Sequence, residues 1–222
     1  MSRAPRTDGD PVAIDPAWLG ERLAAAGPAL PLPRPTQLPQ LARYAELLLD
    51  WNRRINLTGA RSAEALVDEH LADALAILPQ LPAAGRDQAF DLVDVGSGGG
   101  LPGVVLAVLC PEAHGVLLEP IHKKQAFLAH VLRVLELYPR FRSIPERLEE
   151  HLARGAAAAY DIAISRAVWP LPGWLERAPA LLRRPGRILA HEGARGLLPP
   201  GAHRHPYEVA GRPRAIIVQD LP

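Results

Sequence analysis

Phe90-Asp91-Leu92-Val93-Asp94-Val95-Gly96-Ser97-Gly98-Gly99-Gly100-Leu101-Pro102-Gly103 is the stretch from which the fold can be read. It starts as a short buried strand, because Phe90, Leu92, Val93 and Val95 are apolar and largely β-formers. Four glycines follow, Gly96, Gly98, Gly99 and Gly100. A helix is expected from about Leu101, with Pro102 in its first turn, where a missing N–H costs nothing. Strand, glycine turn and helix N-terminus together let a backbone approach a nucleotide-like ligand closely. The spacing alone also fits a tight turn with no ligand. Two acids sharpen it. Asp94 stands two residues before Gly96 at the strand's end. Glu119 closes a second apolar run, residues 115–118, about 20 residues on, where Rossmann-like folds hold a ribose diol.

With 222 residues, 48% of them hydrophobic, the chain can bury a substantial core as one large domain or a medium domain with an appendage. No apolar run reaches the roughly 18 residues that span a bilayer, so no membrane partner is expected. Residues 1–11 lack the apolar core of a signal peptide. A lone cysteine, Cys110, excludes an intramolecular disulfide framework and fits a reducing cytoplasm, the expected location. Net charge is +1, so any polyanion contact must come from local patches.

Residues 1–14 read as a flexible lead, 15–80 as a helical N-terminal part and 81–222 as a Rossmann-like domain. Asp15 caps a first helix with Pro16 at its first position, and residues 36–51 and 62–78 carry the next two. Beyond the glycines, helices at 101–110, 122–137, 147–154 and 171–182 alternate with strands at 115–119, 140–144, 160–165 and 186–191. Strands at 205–210 and 214–220 have only Gly211-Arg212-Pro213 between them and should form an antiparallel hairpin. The expected fold is α/β: a mostly parallel seven-stranded sheet with a C-terminal hairpin, the layout of class I methyltransferases.

The form acid-x-G-x-G-x-G, starting at Asp94, looks like the first motif of class I S-adenosylmethionine-dependent methyltransferases. Further stretches narrow the likeness: W-N-R-R-I-N-L-T (51–58), E-H-L-A-D-A-L (69–75), K-K-Q-A-F-L (123–128), R-L-E-E (147–150), Y-D-I-A-I-S-R-A (160–167) and P-G-R-I-L (185–189). In order and spacing the chain resembles the bacterial 16S ribosomal RNA guanine-N7 methyltransferase family, RsmG/GidB. The resemblance implies S-adenosylmethionine as cofactor and the 16S rRNA of the small subunit as partner. It implies that Gly96, Ser97, Gly98 and Leu101 surround the methionine part, that Glu119 holds the ribose, and that Leu148 and Glu149 border the adenine. Arg166, implied for both cofactor contact and catalysis, would face the open side of the pocket. The chain departs from the family pattern at Ala74, Glu119-Pro120, Glu192 and Ala215, so the substrate side is less well kept than the cofactor side.

Guanine N7 carries a lone pair outside the ring's π system, so its methylation needs alignment rather than a strong base. The chain agrees: Ser165-Arg166-Ala167 stands where amino-group methylation would commonly show an N-P-P-Y-like segment. Cys110 reads as a small buried hydrophobe rather than a nucleophile. Arg53, Arg54, Asn56, Thr58, His70 and Lys123 are the candidates for RNA contact, against a solvated charged face, and Arg61 and Lys124 extend that set for phosphate. His70 and Asp73 share a helix face and could pair; no metal is expected there or among His191, His203 and His205. Trp169 and Trp174 suit core packing, with base stacking as the alternative. The expected protein is a monomer. Its rivals are a methyltransferase with another acceptor and a cofactor-binding module without turnover.

Overall fold

The structure, a computed structural model, describes residues 13–81 and 89–222. Seven strands form one sheet: β1 (Asp91–Val95), β2 (His114–Leu118), β3 (Phe141–Ile144), β4 (Tyr160–Ser165), β5 (Leu182–Gly193), β6 (Ala202–Val209) and β7 (Arg212–Leu221). Their spatial order is β3-β2-β1-β4-β5-β7-β6. The first five run parallel, and β7 lies antiparallel to both β5 and β6. The order reverses between β1 and β4. That reversal opens a crevice beyond the carboxyl ends of these two strands.

Central parallel strands are buried on both faces, which is why β1 and β4 read as nearly continuous apolar runs. Leu92, Ile162, Ile164, Leu189, Ile216 and Val218 point into one core. Val93, Ala163, Ile188, Ala190 and Ile217 point into the other. The first core is shared by α1 (Pro16–Ala26), α2 (Leu38–Asn52), α3 (Ala63–Leu66), α4 (Ala72–Leu75), α5 (Gly103–Leu109) and α6 (His122–Val134). Leu41, Tyr44 and Leu48 of α2 thus sit in the same apolar cluster as Leu106 and Phe127. The second core is covered by α7 (Leu148–Ala153) and α8 (Leu171–Arg177), with Trp174 as its largest buried side chain.

Asp15 caps α1 as expected, accepting from the N–H groups of Ala17 and Trp18 at 2.8 and 3.0 Å. Ile14, read from sequence as part of a flexible lead, is instead buried, and its N–H donates to Glu46 Oε1 at 2.9 Å. Residues 1–12 and most of the 81–89 link lie outside the described residues. The helix expected at 62–78 is broken: a π-helical stretch, Val67–Leu71, joins α3 to α4. Such stretches recur at functional sites because they re-aim side chains, and this one carries His70. The helix expected from Leu101 starts at Gly103, because Leu101 and Pro102 continue the glycine turn. The hairpin turns at Ala210-Gly211, not at residues 211–213; φ of +49° and +71° gives the left-handed pair that matches strand twist.

Candidate functional site

β1 delivers the glycine turn to the crevice, and two side chains of the same stretch fix its shape. Asp94, buried at the strand's end, accepts from the Gly103 N–H at 3.0 Å and so caps α5. Burial pushes its carboxyl up to about 7. Ser97 Oγ donates back to the Asp94 carbonyl at 2.8 Å. Gly96 is at φ +75°, and a Cβ there would lie 2.2 Å from Val168 Cγ2. Gly103 has no room either: its Cβ would lie 2.4 Å from Leu117 Cδ2 and 2.5 Å from Asp94 Oδ2. From the next strand, Glu119 closes on this turn. Its carboxylate accepts from the Gly98 N–H at 2.9 Å and from the Ile121 N–H at 2.9 Å.

A second loop leans on the first. Asn52, buried at the end of α2, gathers residues 57–60 around its amide. Its Nδ2 donates to the carbonyls of Thr58 and Ala60 at 3.0 and 2.8 Å, and its Oδ1 accepts from Leu57 and Thr58 at 2.9 and 3.0 Å. Tyr44 donates to the Gly99 carbonyl at 2.6 Å, tying α2 to the glycine turn. The resulting cleft of about 180 Å³ is lined by Thr58, His70, Gly96, Ser97, Gly98 and Arg166, among others.

On the opposite wall, Arg166 follows β4, and Ala167 beside it adopts φ +57°, a conformation that non-glycine residues reach at a cost. Arg166 Nη2 meets His70 Nδ1 at 3.0 Å and Asp73 Oδ2 at 3.5 Å. Asp73 is fully buried. Its Oδ1 accepts from Tyr207 at 2.5 Å and faces Arg214 Nε at 3.6 Å. His191 Nε2 lies 3.1 Å from the Asp73 carbonyl oxygen and 3.8 Å from Oδ2. One residue of α4 thus collects Arg166 from just after β4 and side chains from β5, β6 and β7. Burial and the neighbouring guanidiniums pull His70 and His191 below their ordinary range, so both stay neutral near pH 7.

Residues 37–203 match the family described as rRNA small subunit methyltransferase G. This chain belongs to that family. A ribosomal RNA small subunit methyltransferase G of Bordetella pertussis is 35% identical over 198 residues, covering 87% of this chain and 80% of the relative. One of Aromatoleum aromaticum is 39% identical over 163 residues, 72% of this chain and 73% of the relative. Two solved structures share the fold at 15% identity. They are a Corynebacterium glutamicum protein (TM-score 0.55, covering 81% and 91%) and a protein described as a predicted O-methyltransferase from Agrobacterium tumefaciens (0.50, covering 65% and 79%).

Within this chain, Gly96, Ser97, Gly98, Leu101, Thr58, His70 and Arg166 come together at one cleft, and Glu119 joins them through Gly98. Leu148 and Glu149 do not line it. Leu148 is buried with Leu118 under the sheet, and Glu149 is exposed at the start of α7. Arg53, Arg54 and Asn56 are exposed on the loop that Asn52 holds, and Lys123 is exposed on α6. Arg53 also borders, with Arg61 and Ser62, a separate cavity of about 330 Å³. Trp174 packs in the core and donates its indole N–H to the Leu189 carbonyl at 3.1 Å, while Trp169 stacks on it at 5.9 Å. Cys110 is buried. His203 and His205 are exposed on β6, apart from His191, and no cluster of metal-ligating side chains occurs among the described residues. Two of the family departures, Glu192 and Ala215, are direct register partners across β5 and β7. Sequence reading missed the gathering roles of Asn52 and Asp73 and the contributions of His191, Tyr207 and Arg214.

Proposed function

We propose that this chain transfers a methyl group from S-adenosylmethionine to N7 of a guanine in the 16S rRNA of the small ribosomal subunit. The observation that carries the reading is the single cleft in which the glycine turn of β1 and Arg166 after β4 face each other. The residues fit the cofactor. Gly98 leaves open space where a Cβ would stand, its nearest neighbour being the Gly96 carbonyl oxygen at 3.9 Å. Beside it Glu119 offers a carboxylate for a diol, since each oxygen can accept more than one hydrogen bond. Gly96, Ser97, Gly98 and Leu101 would hold the amino-acid part and Glu119 the ribose. The bound cofactor supplies an electrophilic methyl group on a sulfonium.

The chain's own contribution is alignment. N7 carries no proton, so the absence of a strong base at the cleft is no obstacle, and neutral His70 is free to act as a hydrogen-bond partner. Arg166, held by His70 and Asp73, orients the acceptor base from the wall opposite the glycines. Arg53, Arg54, Asn56 and Lys123 are placed to meet phosphates around that base. A net charge of +1 favours an assembled or partly assembled subunit over naked RNA. No helix among the described residues is long and apolar enough to cross a membrane.

The test is methyl transfer from labelled cofactor to small subunits that lack the modification, followed by mapping of the modified base. One methylated guanine N7 in 16S rRNA is the expected result. Transfer to another atom, or to no ribosomal RNA at all, overturns the reading.

A further inference from the structure

Adenine and guanine both present an N7 lone pair, so alignment alone does not tell them apart. They differ at the neighbouring position: guanine has O6, an acceptor, and adenine has an amino group, a donor. A site that selects guanine therefore needs a hydrogen-bond donor beside N7. The structure holds two unengaged, buried donors on side chains that line the cleft, and their identity follows from valence. Arg166 Nη2 has only hydrogens to offer, so His70 Nδ1, 3.0 Å away, must be the acceptor of that pair. The proton of neutral His70 then sits on Nε2. His70 Nε2 and Arg166 Nη1 are both buried and both lack a partner among the described residues. Buried polar groups without partners are uncommon and costly, and these two belong to side chains that line the cleft opposite Ser97 and Gly98. The π-helical stretch Val67–Leu71 is what carries His70 to this position, and buried Asp73 steadies Arg166 behind it.

We infer that His70, locked in its Nε2–H form by Arg166, donates to O6 of the target base and with Arg166 selects guanine over other bases carrying an N7. This rests on the proposed guanine-N7 activity and assigns the selectivity of the same cleft. Adenine would place an amino group against two donors, leaving all of them unpaired, which is the strongest form of rejection a polar site can exert.

The experiment uses subunits reconstituted with either guanine or 2-aminopurine, which keeps N7 and lacks O6, at the mapped position. The parent enzyme should methylate guanine at least 30-fold faster than 2-aminopurine in single-turnover measurements. His70→Ala should lower the guanine rate 10- to 100-fold, leave cofactor affinity within threefold of the parent's, and shrink the guanine preference to below threefold. His70→Gln, whose amide can accept from Arg166 and donate beyond it, should recover part of both rate and preference. Any intrinsic difference in N7 reactivity acts on all variants alike, so the change in preference is the readout. Retention of the parent's full guanine preference by soluble, cofactor-binding His70→Ala and His70→Gln overturns the assignment. Failure of the parent to methylate any guanine N7 overturns the underlying reading, and this inference with it.

Discussion

The two walls of the cleft are built in opposite ways. The glycine wall is mostly local: Asp94, Ser97, Gly98 and Gly103 shape it within ten residues, and Leu118 and Glu119 from the end of β2 and Tyr44 from α2 brace it. The arginine wall is assembled from afar. Asp73 on α4 meets Tyr207 across 134 residues of sequence, and His191 across 118. Backbone geometry does the work on the first wall, and a buried carboxyl group with the side chains it gathers does it on the second. A common cofactor can be met by a fixed local turn. The other wall has to be gathered by the tertiary fold from residues far apart in sequence.

The sharpest way to break this contrast is Asp73→Ala. Removing a buried carboxylate leaves Arg166 and Arg214 without their shared counter-charge, and the loss should be about 3–5 kcal/mol by urea unfolding. A loss within about 0.5 kcal/mol, typical of surface sites, would mean that the arginine wall is not held from Asp73. Next comes Gly103→Ala on the other wall. The added methyl must displace Leu117 and Asp94, and overpacking of this kind costs about 1–3 kcal/mol. An unchanged denaturation midpoint would mean that the glycine turn has slack.

The smallest effect is one of pH. Asp94, raised to about 7 by burial, holds a proton in the folded chain that the unfolded chain releases above about 3.8, so acidification through that window stabilises. His70 and His191 are lowered from 6.5 by burial, so the unfolded chain takes up their protons first, and acidification destabilises. Asp94→Asn removes only the stabilising partner. Its melting temperature should therefore fall more steeply than the parent's between pH 7 and pH 5. Parallel curves would contradict the buried, protonated state of Asp94.

The same contrast explains what sequence could reveal. The seven strands, their parallel core and the terminal hairpin were legible because burial on both faces leaves continuous apolar runs, and because too few residues separate β6 from β7 for a crossover. The glycine wall was legible because its parts are contiguous. Boundaries slipped where local rules compete: Pro102 suits a helix start, yet the glycine turn runs on to Gly103. The π-helical stretch under His70 leaves no mark on an apolar periodicity of helical type. Asp73 looked like a partner for His70 on its own helix, but both side chains turn to Arg166. Tyr207 and Arg214 gave no local signal, since their meaning comes only from the register that sets them opposite one another. Asn52 stood in a motif already singled out, W-N-R-R-I-N-L-T, and its four hydrogen bonds to the following loop account for the first of that motif's two asparagines.

The most direct test of the two-wall account is a calorimetric titration of S-adenosylmethionine into the parent chain and into Asp73→Asn. If the glycine wall stands on its own, the variant binds the cofactor within about threefold of the parent, less than ~0.7 kcal/mol, even though its arginine wall has lost its anchor. A weakening of tenfold or more in a folded variant would show that the walls are one unit. Absence of binding by the parent would contradict the account at its root.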